Sequence, residues 1–177
     1  QMVLFEGEER LNIKGYPAEW GIFQSILVNN RLYQQVNDQW VFTSPSKKDK
    51  SNLFPAWKAG LDHLKKNKKG NVSVAEIYDI WSSAPYGIKT GLHNILMVAL
   101  ILSERENIAF YRENIFQSNF SDLDIDYLTN DPESIQLRWM DLDESSRNLL
   151  STMASLVEEL THEKVHNADP LSVARAL

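Results

Sequence analysis

The sequence of 177 residues contains no cysteine, which excludes disulfide bonds and thiolate metal sites. The same absence favours an intracellular protein, and we expect a cytoplasmic one. Long apolar runs are also missing, because the most apolar stretch, 95–102, is far shorter than the roughly 20 residues that span a bilayer. We therefore expect no membrane partner.

Hydrophobic residues make up 43% of the chain and charged residues 24%, enough apolar material for one domain or two small ones and too much for a disordered chain. The first residue is Gln1 rather than methionine. The last is Leu177, shortly after Asp169 and Pro170, which resemble the first residues of a new helix. We expect the chain to be a fragment of a larger protein.

The net charge of −6 conceals a gradient along the chain. Residues 1–72 carry 11 basic and 7 acidic side chains, residues 73–120 carry 3 and 5, and residues 121–177 carry 4 and 12. Such polarity can orient a protein on a polyanion or against a basic neighbour. An ordinary solvated surface gives the same pattern, and it is the commoner cause.

Residues 1–45 are predicted to form a helix over about 18–30 and a β-hairpin. Trp20, Phe23 and Leu27 recur in this helix at helical spacing. The runs 32–36 and 39–42 are rich in residues that favour strands, and they flank Asn37 and Asp38, which tolerate positive φ. A polar, lysine-rich loop over 44–52 follows and marks a boundary.

Residues 46–120 are predicted to form a winged-helix-like unit. Its elements are a helix over 53–66, a short strand at 71–74, a helix to about Ser83, a break at 84–87, a helix over 88–105 and a hairpin. The hairpin strands are 108–111 and 115–117, with a turn at 112–114. This order is that of a winged helix. Trp57, Trp81, Leu96 and Leu100 are predicted to form the centre of the core.

Residues 121–177 are predicted to form an acidic helical segment. Ser121 caps a short helix, and the alternation over 134–140 indicates an edge strand. Asp143 caps an amphipathic helix that ends near Glu163. The whole chain is therefore predicted to be mainly α with small β-hairpins, an α+β fold with a winged-helix-like central unit.

His162, Glu163 and His166 match the pattern H-E-x-x-H, in which two histidines on one helical face bind Zn²⁺ and the glutamate is the general base. The metzincin continuation requires glycine at 169 and histidine at 172, where this chain has Asp169 and Ser172. The polar end of an exposed helix explains the pattern better. A zinc peptidase fragment stays a remote alternative, and we predict no metal or other cofactor.

Three further motifs are incomplete. Residues 87–90 resemble the end of a phosphate-binding loop, but Ile88 stands between the glycine and the lysine. His63 and His93 have no nucleophile partner in a recognisable motif, and we expect them to be half-exposed helix residues. The aspartates at 122, 124 and 126 suggest calcium but lack the later glycine and glutamate of an EF-hand loop. No catalytic residue is predicted.

Lysines are concentrated at 47–50 and at 65–69. In a winged helix, the first turns of the third helix enter the major groove and the hairpin tip contacts the backbone. These elements give the following candidate nucleic-acid-binding residues: Lys65, Lys66, Lys68, Lys69, Lys89, Thr90, His93 and Arg112. Acidic neighbours such as Glu104 and Glu113 predict weak binding.

Four segments carry a resemblance to a known group of proteins: 84–91, 108–117, 124–132 and 135–138. They resemble a region downstream of the ATPase core in large, poorly characterised bacterial ATP-binding proteins of defence-type gene clusters. The similarity covers residues 15–177, and 169–175 fits the same pattern. It implies an accessory module whose parent hydrolyses nucleotide elsewhere, and it supplies no functional residues.

Two functions remain open at this point. The first is a non-enzymatic module that binds nucleic acid in an antiviral defence system. The second is a docking, regulatory or oligomerisation module whose acidic helix contacts the rest of the parent chain or a partner protein.

Overall fold

The computed structural model describes residues 7–117 and 120–141, together with residues 148 and 152. Helices and two antiparallel sheets are mixed along the chain, which confirms the predicted α+β class. The elements are α1 (Ala18–Ile22), a π-helix that continues it (Phe23–Val28), β1 (Tyr33–Val36), β2 (Gln39–Phe42), α2 (Phe54–Lys66), β3 (Val72–Ser73), α3 (Val74–Ser82), α4 (Thr90–Ser103), β4 (Ile108–Arg112), β5 (Ile115–Phe116), α5 (Asp122–Asn130) and β6 (Ile135–Trp139).

The described residues divide into two compact units. The first unit contains the residues up to His63 and the segment Ala75–Glu104. The second unit contains Leu64–Val74 and the residues from Arg105 onward. The helices α3 (from Ala75) and α4 of the predicted winged helix thus belong to the first unit, and the strands β3, β4 and β5 to the second. The boundaries after residues 45 and 120 stay predictions.

In the first unit, β1 and β2 form the predicted hairpin, with Tyr33 paired to Phe42 and Val36 to Gln39. Asn37 and Asp38 have φ values of 49° and 63°. Two consecutive residues at positive φ match the right-handed twist of the strands, and asparagine and aspartate tolerate this conformation at little cost. The turn predicted from these two residues is confirmed.

The core of the first unit contains Trp57, Trp81, Leu96 and Leu100, all of them buried, as predicted. The indole Nε1–H of Trp81 donates to the Ala56 carbonyl oxygen over 2.9 Å, which satisfies a polar group that would otherwise be buried without a partner. Gly60 permits this close approach of α2 and α3, because a Cβ there would lie only 3.2 Å from the Ile77 Cγ2 atom.

Helix α4 supplies six buried apolar residues to this core, Leu96 to Ile101. It begins at Thr90 rather than at Ile88, since Lys89 keeps an extended backbone at the N-cap position. Residues 96–101 are buried around the whole circumference of the helix, so the apolar stretch noted in the sequence is core. The break before α4 contains a cis peptide bond between Ala84 and Pro85.

The second unit is built on a four-stranded antiparallel sheet with the order β3-β6-β4-β5. The strand predicted over residues 134–140 is confirmed as β6, but its predicted edge position is wrong, because β6 pairs with β3 on one side and with β4 on the other. Alternating polarity indicates that one face of a strand is buried, but it does not indicate how many neighbouring strands pair with that strand. The β4–β5 hairpin does not pair with β3, because β6 lies between them. The winged-helix assignment stays a prediction.

The β4–β5 hairpin turns through two residues, Glu113 and Asn114, at φ values of 51° and 65°. The predicted three-residue turn is therefore wrong by one residue. Arg112 ends strand β4 instead, where it pairs with Ile115 and Ile135. The helix predicted over 143–163 lies outside the described residues, apart from 148 and 152.

Candidate nucleic-acid interface

The register of the sheet in the second unit assigns its side chains to two faces. Residues paired across strands share a face, and successive residues on one strand alternate between faces. One face packs into the core through Val72, Phe110, Ile135 and Leu137, which are all buried. The opposite face contains Tyr111, its two cross-strand partners Phe116 and Gln136, and the next outward residue of β6, Arg138.

The lysines at 65–69 stand beside the C-terminal end of β6. The Lys65 Nζ atom lies 4.5 Å from the centroid of the Trp139 ring, and the Lys68 Nζ atom lies 2.6 Å from the Asp141 Oδ2 atom. Lys66 and Lys69 are exposed as well. We call Lys65, Lys66, Lys68, Lys69 and Arg138 together the basic end of the second unit.

The basic end borders a concavity of about 460 Å³. Its lining residues are Lys68, Lys69, Tyr111, Arg138, Trp139, Met140 and Asp141. Cations and aromatic rings therefore face one space, whose volume falls within the roughly 300–1,000 Å³ of typical ligand pockets. The ion pair of Lys68 with Asp141 is exposed on both sides, and such pairs contribute little and exchange readily for another anion.

The two ends of β6 differ in net charge, although Asp141 stands among the cations at the C-terminal end. At the N-terminal end of this strand, Glu113, Asp131 and Glu133 are exposed, and the Glu113 backbone N–H donates to the Ser134 carbonyl oxygen. The basic end lies at the other terminus of this five-residue strand, about 13 Å away. A polyanion would therefore be attracted to one end of the sheet and repelled from the other.

Arg112, predicted to contact nucleic acid from the hairpin, is committed to the interior of the second unit. Its Nη1–H donates to Asp124 Oδ1 over 2.7 Å, and its Nη2–H donates to Gln117 Oε1 over 3.2 Å. Asp124 is fully buried and also accepts from the N–H and hydroxyl of Ser121. This arrangement confirms Ser121 as the cap of α5 and gives Arg112 a structural role in this conformation.

Lys89 and Thr90 are exposed at the start of α4 in the first unit, where they remain predicted contacts. His93 is only 2% exposed, so the expectation of a half-exposed residue is wrong. Its ring lies 4.7 Å from that of Tyr78, and its Nε2–H donates to the Ile88 carbonyl oxygen over 3.2 Å. Burial lowers the pKa of His93, an effect that the Ile88 hydrogen bond and the charge of Asp79 partly offset.

His63 is half-buried, as expected, with its Nε2 atom 3.0 Å from the Glu76 Oε2 atom. The Tyr78 hydroxyl donates to Asn94 Oδ1, and burial raises the pKa of this phenol. These contacts stabilise the first unit, where the Ser82 Oγ atom also lies 3.4 Å from the His93 Nε2 atom.

Metal-ligand clusters of three or more His, Asp or Glu side chains are absent from the described residues. In the aspartate series at 122, 124 and 126, Asp124 bonds to Arg112 and Ser121, which separates it from any calcium site. His162 and His166 lie outside the described residues.

We expect the purified chain to carry no stoichiometric zinc, because the sequence around His162 and His166 lacks a third ligand. Elemental analysis of the dialysed protein measures this directly. About one zinc per chain, lost on His166→Ala and retained on His63→Ala, would contradict the expectation and support a peptidase fragment.

Arg138 of the basic end and its neighbour Trp139 were not among the residues predicted from the sequence. Arg138 lies within the alternating stretch 134–140, where the buried positions Ile135 and Leu137 imply that it faces outward. The alternating pattern of the sequence was therefore sufficient to predict that Arg138 is exposed. The contact between Lys65 and Trp139 joins residues 74 positions apart, and no local sequence pattern predicts it.

No protein-family model, curated protein or solved structure matches this chain. Within the described residues, no helix combines the length and the apolar character needed to cross a membrane.

Proposed function

We propose that the chain is a nucleic-acid-binding module, without catalytic activity of its own, that binds phosphates through its basic end. The observation that carries the proposal is the convergence of Lys68, Lys69 and Arg138 on one concavity that also contains aromatic rings. Lysine and arginine supply most of the affinity of proteins for nucleic acids. In this proposal, an accessory role beside a bacterial defence ATPase rests on the sequence resemblance alone.

The separation of charge in the second unit supports the proposal further. An overall net charge of −6 disfavours nonspecific binding to a polyanion over the whole surface. Binding then depends on a local concentration of cations, and the basic end is such a concentration. The acidic residues at the other end of β6 orient the bound strand and weaken the interaction, so that moderate affinity and strong salt dependence are expected.

The test is a comparison of two triple variants of equal charge. Changing Lys66, Lys68 and Lys69 to glutamine is expected to weaken nucleic-acid binding at least about tenfold at about 50 mM salt, because three phosphate contacts are lost. The log–log slope of affinity against salt is expected to fall by about 0.7 for each contact on a single strand. Fluorescence anisotropy with labelled oligonucleotides measures both quantities.

The matched control changes Lys47, Lys48 and Lys50, exposed lysines of the first unit, to glutamine. This control is expected to keep most of the affinity, since it alters net charge equally. Equal losses in the two triple variants would show that binding follows net charge rather than the basic end. Absence of binding by the unmodified chain at about 50 mM salt would remove nucleic acid as the partner.

A protein-docking module is the second candidate. It is favoured by apolar side chains that the second unit leaves exposed, namely Ile115 at 65%, Phe116 at 45% and Leu123 at 50%. Exposed apolar side chains can mark contacts with other proteins where they form a continuous patch. If the chain binds no nucleic acid, protein docking becomes the leading proposal for its function.

A further inference from the structure

Two aromatic rings extend the basic end across the outward face of the sheet. Tyr111 and Phe116 are paired across β4 and β5, with ring centroids 5.7 Å apart and planes inclined by 69°. Tyr111 is half-buried, and Phe116 remains 45% exposed. Neither ring belongs to the core face, which is filled by Phe110, Ile135 and Leu137.

Tyr111 and three of the cations, Lys68, Lys69 and Arg138, belong to one surface. Tyr111 pairs with Gln136, and Arg138 is the next residue of β6 on the same face, so that the two side chains are diagonal neighbours. Tyr111 and Arg138 also line the concavity with Lys68 and Lys69. An extended chain of alternating phosphates and flat groups could therefore place its phosphates on the lysines and its flat groups on the rings.

We propose that this face binds single-stranded nucleic acid, with bases stacked on Tyr111 and Phe116 and phosphates held by the basic end. The inference rests on the function proposed above and adds the class of ligand. Bases have exposed ring faces only when they are unpaired, and stacking on aromatic side chains is the main source of affinity for them beyond phosphate contacts. Arg138 offers a planar guanidinium that can also stack on a base.

Duplex binding fits this surface less well. Readers of duplex DNA insert a helix or a β-ribbon into a groove and contact the edges of the bases. A sheet face with partly exposed rings presents flat apolar area, which has no counterpart in a stacked duplex. Stacking is also tolerant of sequence, so little preference among bases of similar size is expected.

The experiment compares three labelled probes of about 20 nucleotides with the full chain: oligothymidine, an abasic strand with the same number of phosphates, and a duplex. Oligothymidine is expected to bind at least about tenfold more tightly than the abasic strand, because a stacked base typically contributes a factor of this order. The duplex is expected to bind no more tightly than oligothymidine. This comparison requires no mutation, so a folding defect cannot obscure it.

Variants then locate the stacking. Tyr111→Leu and Phe116→Leu keep apolar volume but remove the ring, and each is expected to reduce oligothymidine binding severalfold while leaving the abasic strand unaffected. Tyr16→Leu, at an 84% exposed tyrosine of the first unit, is the matched control and is expected to change neither. Far-UV circular dichroism checks that each variant is folded.

The outcomes separate this inference from the proposed function. Equal binding of oligothymidine and the abasic strand, both weakened by the lysine triple variant, would overturn stacking and leave phosphate binding intact. Tighter binding of the duplex would overturn the single-strand inference in favour of a groove contact. Absence of binding to all three probes would overturn both proposals.

Discussion

Leu96→Ala is expected to lower the free energy of unfolding by about 2–5 kcal/mol, because it leaves a cavity in the core of the first unit. Leu96 is 2% exposed and lies on α4, whose residues 96–101 are all buried. Urea-induced unfolding followed by tryptophan fluorescence measures the loss, since Trp57 and Trp81 belong to the same core.

Leu123→Ala is the matched control, because Leu123 is 50% exposed and its truncation removes little buried area. We expect the control to change the free energy of unfolding by less than about 1 kcal/mol. Similar small losses in both variants would mean that Leu96 is not packed in the core of the first unit.

Asp124→Ala is expected to cost about 1–3 kcal/mol of unfolding free energy, because it removes the fully buried carboxylate of an ion pair whose arginine, Arg112, stays 22% exposed. The same change removes the acceptor of the Ser121 N–H and hydroxyl, so the start of α5 loses its cap. Thermal unfolding followed by circular dichroism gives the difference from the unmodified chain.

Asp126→Ala is the control, since Asp126 is an exposed aspartate of the same helix and its loss is expected to stay within about 0.5 kcal/mol. A combined Arg112→Met and Asp124→Leu variant is expected to recover part of the stability, because it leaves no uncompensated charge in the interior. If Asp124→Ala and Asp126→Ala cost the same, the ion pair does not stabilise the second unit.

Arg112 and His93 show that a sequence argument can overlook the structural contacts of a side chain. Both are polar residues in elements that a winged helix would present to DNA, and position in an element was the only available criterion. The structure directs Arg112 to a buried aspartate and His93 into the core. A polar side chain is bound by whichever partner lies closest in three dimensions, and sequence order does not specify that partner.

The sequence by itself determined the local features of this protein. The turn at Asn37 and Asp38 and the cap at Ser121 each depend on a few adjacent residues, and their conformational preferences act over short distances. The class of fold followed from the same preferences. These are the features that were predicted correctly.

The tertiary structure alone decided the sheet of the second unit and the surface built on it. The position of β6 between β3 and β4 brings Trp139 to Lys65 and Arg138 to Tyr111, contacts between residues far apart in the chain. Strand pairing depends on hydrogen bonds between backbones, which every residue type except proline can form. A pattern of side chains therefore predicts that a strand exists, and only the folded chain selects its neighbours.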